Sequence, residues 1–114
     1  MASLYSAIQQ AGTPTTRLLA AATPYLQRSY VDRGLIEAGG GVRYNDVPAV
    51  AYAINPELFG SSELYVEIET QSPVARGQTV SHRHDTGGNP PNVRVCLEVD
   101  AFAVAELFTQ RILG

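Results

Sequence analysis

The spacing of apolar side chains changes near Glu63, and this change limits the folds that the chain can adopt. Before that residue, apolar side chains recur every three or four positions, which is the repeat of an amphipathic α-helix. From Glu63 onward they alternate with polar side chains, which is the repeat of a β-strand with one buried face. The order predicts an α/β chain with helices first, then a small mixed or antiparallel three-stranded unit, and a closing helix.

Local signals set the bounds of the first two helices. Residues 2–10 place their apolar side chains on one helical face, and Gly12 is a plausible stop. Thr13 is the expected N-cap of the second helix, because its hydroxyl can accept a hydrogen bond from an unpaired amide. Pro24 falls inside this second helix, so we expect a kink or an interruption near Thr23.

Two further helices flank the predicted strands. Asp46 stands at the N-cap position of a short, largely buried third helix, and Pro56 prevents that helix from continuing. Asp100 is the expected cap of the fourth helix. The apolar face of this last helix comprises Val104, Phe108 and Ile112.

Three segments have the signals of strands. The first begins at Glu63, the second covers residues 77–82, and the third covers residues 93–99 after a turn at residues 86–92. Cys96 alternates with apolar residues on the third strand, which predicts an inert, half-buried thiol. As the single cysteine, it cannot pair within the chain, which is consistent with a reducing compartment. The side chains expected on the buried face of the first strand are Leu64, Val66 and Ile68.

Charge and hydropathy exclude two kinds of partner. The 114 residues include 8 arginines, no lysine and 11 acidic residues, for a net charge of −3. Binding to nucleic acid requires clustered basic side chains that replace counterions, and the sequence has no such cluster. No apolar run approaches the length of a membrane-spanning helix, and the N-terminus does not have the pattern of a secretory signal. We therefore expect neither nucleic acid nor a membrane as a partner, and a cytoplasmic location.

Several short motifs follow one another in a fixed order between residues 45 and 100. No single motif is specific, but together they resemble the C-terminal part of the inosine-uridine nucleoside hydrolase family. The resemblance is clear from Val42 onward. The motifs are Asn45-Asp46-Val47-Pro48-Ala49-Val50-Ala51-Tyr52, Asn55-Pro56-Glu57-Leu58-Phe59, Val66-Glu67-Ile68-Glu69-Thr70, Gly77-Gln78-Thr79-Val80, Thr86-Gly87-Gly88-Asn89-Pro90-Pro91-Asn92 and Leu97-Glu98-Val99-Asp100.

The resemblance implies a C-terminal piece of an open α/β domain. We expect residues 1–114 to be a single domain or subdomain. Within it, residues 1–34 form a helical segment and residues 35–44 form a glycine-rich linker. Residues 45–114 form the region that is similar to nucleoside hydrolases.

The resemblance also implies a reaction, the calcium-assisted cleavage of the N-glycosidic bond of a ribonucleoside. It places Asp46 at the family's C-terminal calcium-ligand position, and Asn45 where many members have a histidine that protonates the departing base. In the family, side chains from the preceding helix close over the nucleobase, which makes Tyr25, Arg28 and Tyr30 candidate substrate contacts. From the residues alone, Asp46 is also explained as a plain N-cap. Tyr25, Arg28 and Tyr30 are also explained as ordinary packing and surface side chains.

Two departures from the family pattern limit what this chain can do alone. The Asp-rich N-terminal cluster of the family is absent, and the aspartates are scattered singly. Asn45 has no proton to donate at neutral pH, although its amide can form hydrogen bonds to a base or ribose. We expect a C-terminal segment that is inactive without the Asp-rich part and that associates as a homo-oligomer or with an N-terminal partner chain. The alternative is a non-catalytic binding or oligomerisation module derived from the same scaffold.

The sequence contains one local cluster of metal-ligand residue types, His82-x-His84-Asp85. Alternate residues on a strand share a face, so both imidazoles could reach one ion. This segment supplies only two metal ligands and a possible third. A solvent-facing strand end is the favoured interpretation, and a histidine-based zinc site is the weaker one.

Overall fold

The computed structural model describes residues 4–82 and 87–114, and these form four α-helices and three β-strands. The strands are antiparallel, as expected for the small sheet unit. The predicted mixed α/β chain with a closing helix is confirmed. The helices are α1 (Leu4–Ala11), α2 (Pro14–Asp32), α3 (Val47–Ile54) and α4 (Ala101–Leu113), and the strands are β1 (Phe59–Ile68), β2 (Thr79–His82) and β3 (Val93–Val99).

The chain divides into two compact units. The helical unit comprises Met1–Pro56 and Ala101–Gly114, and the sheet unit comprises Glu57–Asp100. In the helical unit α2 packs against α1 and α4, and α3 packs against α4. No described helix is both long and apolar enough to cross a membrane. The boundaries expected at residues 34 and 45 remain predictions.

The junction between α1 and α2 follows the local signals. Gly12 has a φ of +68°, which suits a residue without a Cβ, and this ends α1. The Thr13 hydroxyl accepts a hydrogen bond from the Thr16 amide at 3.1 Å, so the predicted N-cap is confirmed. Thr16 is fully buried, and its own hydroxyl donates to the Thr13 carbonyl at 3.1 Å.

Helix α2 runs without a break through Pro24, so the interruption expected near Thr23 is wrong. A proline has no amide, and the carbonyl four residues earlier, that of Ala20, is therefore left without its helical donor. The Tyr5 hydroxyl of α1 donates to this carbonyl at 3.1 Å. The Thr23 hydroxyl also donates to the Leu19 carbonyl at 2.6 Å. The Tyr5 side chain thus satisfies the carbonyl that Pro24 leaves without a backbone donor.

The segment between α2 and α3 is held to α2 by side chains. The Gln27 side-chain amide donates to the Gly40 carbonyl at 2.7 Å. The hydroxyls of Thr23 and Tyr44 lie 2.5 Å apart. The bonded residues of α2 lie 13 and 21 positions before their partners in this segment. These contacts therefore could not be predicted from the local sequence of the glycine-rich linker.

The three strands form a sheet in the order β2-β1-β3. Tyr65 lies opposite His82, and Leu64 lies opposite Val93. The register of β1 against β3 shifts between Gly60, which pairs with Glu98, and Ser61, which pairs with Cys96.

The burial expected for the apolar residues of the sheet and of α3 is found only in part, because Leu64 and Val66 are half-buried whereas others are exposed. Ile68 is 55% exposed, and Cys96, expected to be half-buried, is also exposed. The described part of the sheet unit contains only strands, loops and one 3₁₀ turn, so no helix of that unit covers the apolar face. On α3 only Ala51 is buried, whereas Val50 and Ile54 are 60% and 47% exposed. Periodicity identifies an apolar face, but burial depends on whether another element covers it.

Candidate functional site

The candidate site begins at Asp46, the residue before α3. Asp46 occupies the N-cap position, but its side chain makes no capping hydrogen bond, so its interpretation as an ordinary cap is wrong. Its φ of −86° and ψ of −16° are helical, whereas side-chain capping needs an extended backbone. Pro48, the second residue of α3, also lacks one of the two amides that a capping side chain can bind. The carboxylate is exposed and is not used by its own helix.

Tyr30 and Asn45 are joined by a hydrogen bond. The Tyr30 side chain is buried at the end of α2, with the residue 9% exposed. Its hydroxyl donates to the Arg43 carbonyl at 3.1 Å and accepts from the Asn45 side-chain amide at 2.7 Å. These bonds fix the segment that leads into Asp46 against α2.

The region around these residues forms an open cavity of about 280 Å³. Asp46 also borders a second, almost wholly apolar groove of about 270 Å³ between α3 and α4. Asp46 thus lines both of these cavities. The first cavity is lined by Leu26, Tyr30, Arg43, Tyr44, Asn45, Asp46 and Val47.

Tyr25 and Arg28 lie apart from this cavity. Both are exposed, Tyr25 to 81%, and they line a different depression together with Ser29. Of the three candidate substrate contacts on α2, the structure brings only Tyr30 to Asn45. A sequence pattern could not distinguish them, because the hydrogen bond joins residues 15 positions apart.

The described residues do not by themselves fit a calcium ion. Among them no three His, Cys, Asp or Glu side chains converge as a metal site would require. Calcium takes six to eight oxygen ligands, and Asp46 supplies one carboxylate.

The predicted cluster around His82 is only partly described. His84 and Asp85 lie outside the described residues. The His82 Nε2 lies 2.9 Å from Glu67 Oε2 across the β1–β2 pair. The Tyr65 hydroxyl donates to the other oxygen of Glu67 at 3.1 Å, and this bond raises the pKa of Tyr65. This cluster on the sheet surface was missed by sequence reasoning, since it depends on the strand register.

Comparison with known proteins identifies the family. The model of the inosine-uridine preferring nucleoside hydrolase family matches residues 2–106, and the chain belongs to this family. It is 40% identical over 70 residues to the non-specific ribonucleoside hydrolase RihC of Salmonella paratyphi A, covering 60% of this chain and 23% of that protein. It is 29% identical over 106 residues to the pyrimidine-specific ribonucleoside hydrolase RihA of Klebsiella pneumoniae, covering 91% and 33%.

The fold of the chain is also similar to that of a solved ribonucleoside hydrolase. The purine-preferring ribonucleoside hydrolase from Gardnerella vaginalis superposes with a TM-score of 0.78 at 23% identity, over 97% of this chain and 34% of that one. The expected nucleoside-hydrolase-like fold is confirmed. The chain thus spans 23% and 33% of the lengths of the two curated relatives.

Proposed function

We propose that this chain is the C-terminal part of a ribonucleoside hydrolase that cleaves the N-glycosidic bond, and that Asp46 is one calcium ligand of the complete centre. The observation that carries the proposal is the exposed Asp46 carboxylate, which no capping bond occupies. Carboxylate oxygens are hard ligands that suit calcium. Family membership supports a ribonucleoside as the substrate.

The chain contributes to this centre without completing it. A single carboxylate leaves most of the coordination sphere of calcium to be filled from elsewhere. Asn45, at the position of the family's histidine, cannot protonate a departing base, because an amide has no proton to donate at neutral pH. We therefore propose that the isolated chain is inactive and that an N-terminal partner chain supplies the remaining carboxylates.

Exposed apolar side chains support a need for association. Val50, Ile54 and Phe102 are large apolar residues exposed on α3 and α4, and an apolar groove runs between these helices. Contiguous apolar surface of this kind typically marks an interaction site. This apolar surface would be covered either by a second copy of the chain in a homo-oligomer or by an N-terminal partner chain. A cytoplasmic location belongs to the same proposal, supported by the single cysteine.

Terbium luminescence tests the role of Asp46, because terbium is a hard cation like calcium and tyrosine sensitises its emission. Tyr30 and Tyr44 line the same cavity as Asp46. We expect weak, calcium-displaceable emission that Asp46→Asn removes. The matched control Asp32→Asn, an exposed aspartate at the end of α2, should keep it. Equal emission from Asp46→Asn and the unmodified chain would exclude Asp46 as a ligand.

A non-catalytic binding or oligomerisation module is the second candidate, and Asn45 is the observation that favours it. A scaffold without a proton donor at this position can bind without catalysing. Calorimetry with calcium and ribose separates the two functions. Coupled binding of both supports a residual hydrolase site, and self-association without binding of either supports the module.

A further inference from the structure

The Tyr30 hydroxyl fixes the direction of its bond to Asn45. A phenol has one proton, and in Tyr30 this proton is donated to the Arg43 carbonyl at 3.1 Å. The 2.7 Å contact with Asn45 must therefore run the other way, with the Asn45 Nδ2 as donor. The orientation of an asparagine amide is set by its hydrogen bonds, and here a buried side chain sets it.

The anchored nitrogen determines what Asn45 presents to the cavity. The Oδ1 atom is on the opposite branch of the planar amide, so it points away from Tyr30. No hydrogen bond to this oxygen comes from residues 4–82 or 87–114, and Asn45 is exposed. Asp46 follows directly, and both residues line the same cavity. Two neighbouring side chains therefore offer oxygen acceptors, one neutral and one charged.

We propose that Tyr30 is a positioning residue that aims the Asn45 Oδ1 outward, and that this oxygen accepts a hydrogen bond from an N–H or O–H of the bound ribonucleoside. The inference rests on the proposed function for the identity of the ligand. It assigns Asn45 a recognition role in place of proton donation. It also changes the expected role of Tyr30, because a hydroxyl with two partners and a buried ring orients a neighbour instead of stacking on a base.

The orientation of the amide can be read by NMR in the full chain. We expect a nuclear Overhauser effect between the Asn45 Hδ2 proton and the Tyr30 ring, with the amide assigned by its loss in Asn45→Ser. In Tyr30→Phe this proton should move upfield and exchange faster, whereas Tyr25→Phe, on the same helix, should leave it unchanged. The Overhauser effect needs no variant, so a Tyr30→Phe chain that failed to fold would still leave the orientation measurable. Absence of that effect overturns the inference.

Titration with inosine, ribose and the free base of inosine then tests recognition. We expect shifts centred on the Asn45 amide and a roughly fivefold loss of inosine affinity in Tyr30→Phe, the effect of about one net hydrogen bond. Ribose or the free base identifies which part of the nucleoside donates. Inosine binding with unchanged affinity in Tyr30→Phe leaves the proposed function in place and overturns the inference. Absence of inosine binding overturns the acceptor role, whereas the proposed function is tested separately by base release from a mixture of this chain with an N-terminal region, and the Overhauser effect reports the amide orientation independently.

Discussion

At the residue scale, two adjacent side chains before α3 are used differently. Asn45 is held by a buried tyrosine, whereas Asp46 is exposed and makes no bond to its own helix. The sequence suggested a cap at Asp46 because aspartate is a common N-cap residue. It could not show that the backbone there is helical, and this difference leaves the carboxylate available.

Thr13 and Asp46, at the N-cap positions of α2 and α3, should therefore respond differently to mutation. Thr13→Ala removes a 3.1 Å capping bond and should lower the free energy of unfolding by about 1 kcal/mol. Asp46→Ala should change it by less than about 0.5 kcal/mol at high salt, where screening suppresses the interaction of the charge with the helix dipole. Urea unfolding of both variants measures the difference. Equal losses would show that Asp46 caps α3 after all.

Glu69 should make stability depend on pH. Its carboxylate accepts hydrogen bonds from the Ser72 and Gln71 amides, which lower its pKa below the ordinary 4.5. Because the folded pKa is the lower one, this contribution is present above about pH 4.5 and is lost as the pH falls through the folded pKa. The difference in unfolding free energy between the unmodified chain and Glu69→Gln should therefore shrink on acidification. A difference that stays constant from neutral to strongly acidic pH would rule out this role.

At the element scale, α2 depends on α1 for its continuity. Tyr5→Phe removes the donor to the Ala20 carbonyl and should lower the free energy of unfolding by about 1 kcal/mol. In a Pro24→Ala background the helix regains its own amide donor, so the loss from Tyr5→Phe should become smaller. A double-mutant cycle by urea unfolding measures this coupling. Additive effects would mean that Tyr5 does not compensate for Pro24.

The same helix illustrates what a sequence can and cannot predict. The start of α2 at Pro14 and the end of α1 before Gly12 follow from local residue types, since capping and glycine conformation act within a few residues. The continuation of α2 past Pro24 could not be predicted, because the donor to the Ala20 carbonyl, Tyr5, comes from another helix. In the candidate site, Asp46 and Asn45 were found from motif order, whereas their link to Tyr30 depends on tertiary packing.

At the scale of the whole molecule, the described chain has few buried apolar residues. They are Ile8, Tyr30, Ala51 and Val104. The apolar faces of α3 and of the sheet remain accessible, which is why the periodicity of β1 overestimated burial. The exposed faces and the Asp46 carboxylate, which makes no capping bond, agree with the proposal that the chain is one part of a larger catalytic centre.

The most direct test of this account is the hydrolysis of inosine and uridine by the purified 114-residue chain in calcium-containing buffer. The assay is run on the chain alone and after mixing it with the separately expressed N-terminal region of a related ribonucleoside hydrolase. The account predicts no release of base by the chain alone, and release by the mixture that Asp46→Asn abolishes. Rapid base release by the unaccompanied chain would contradict it.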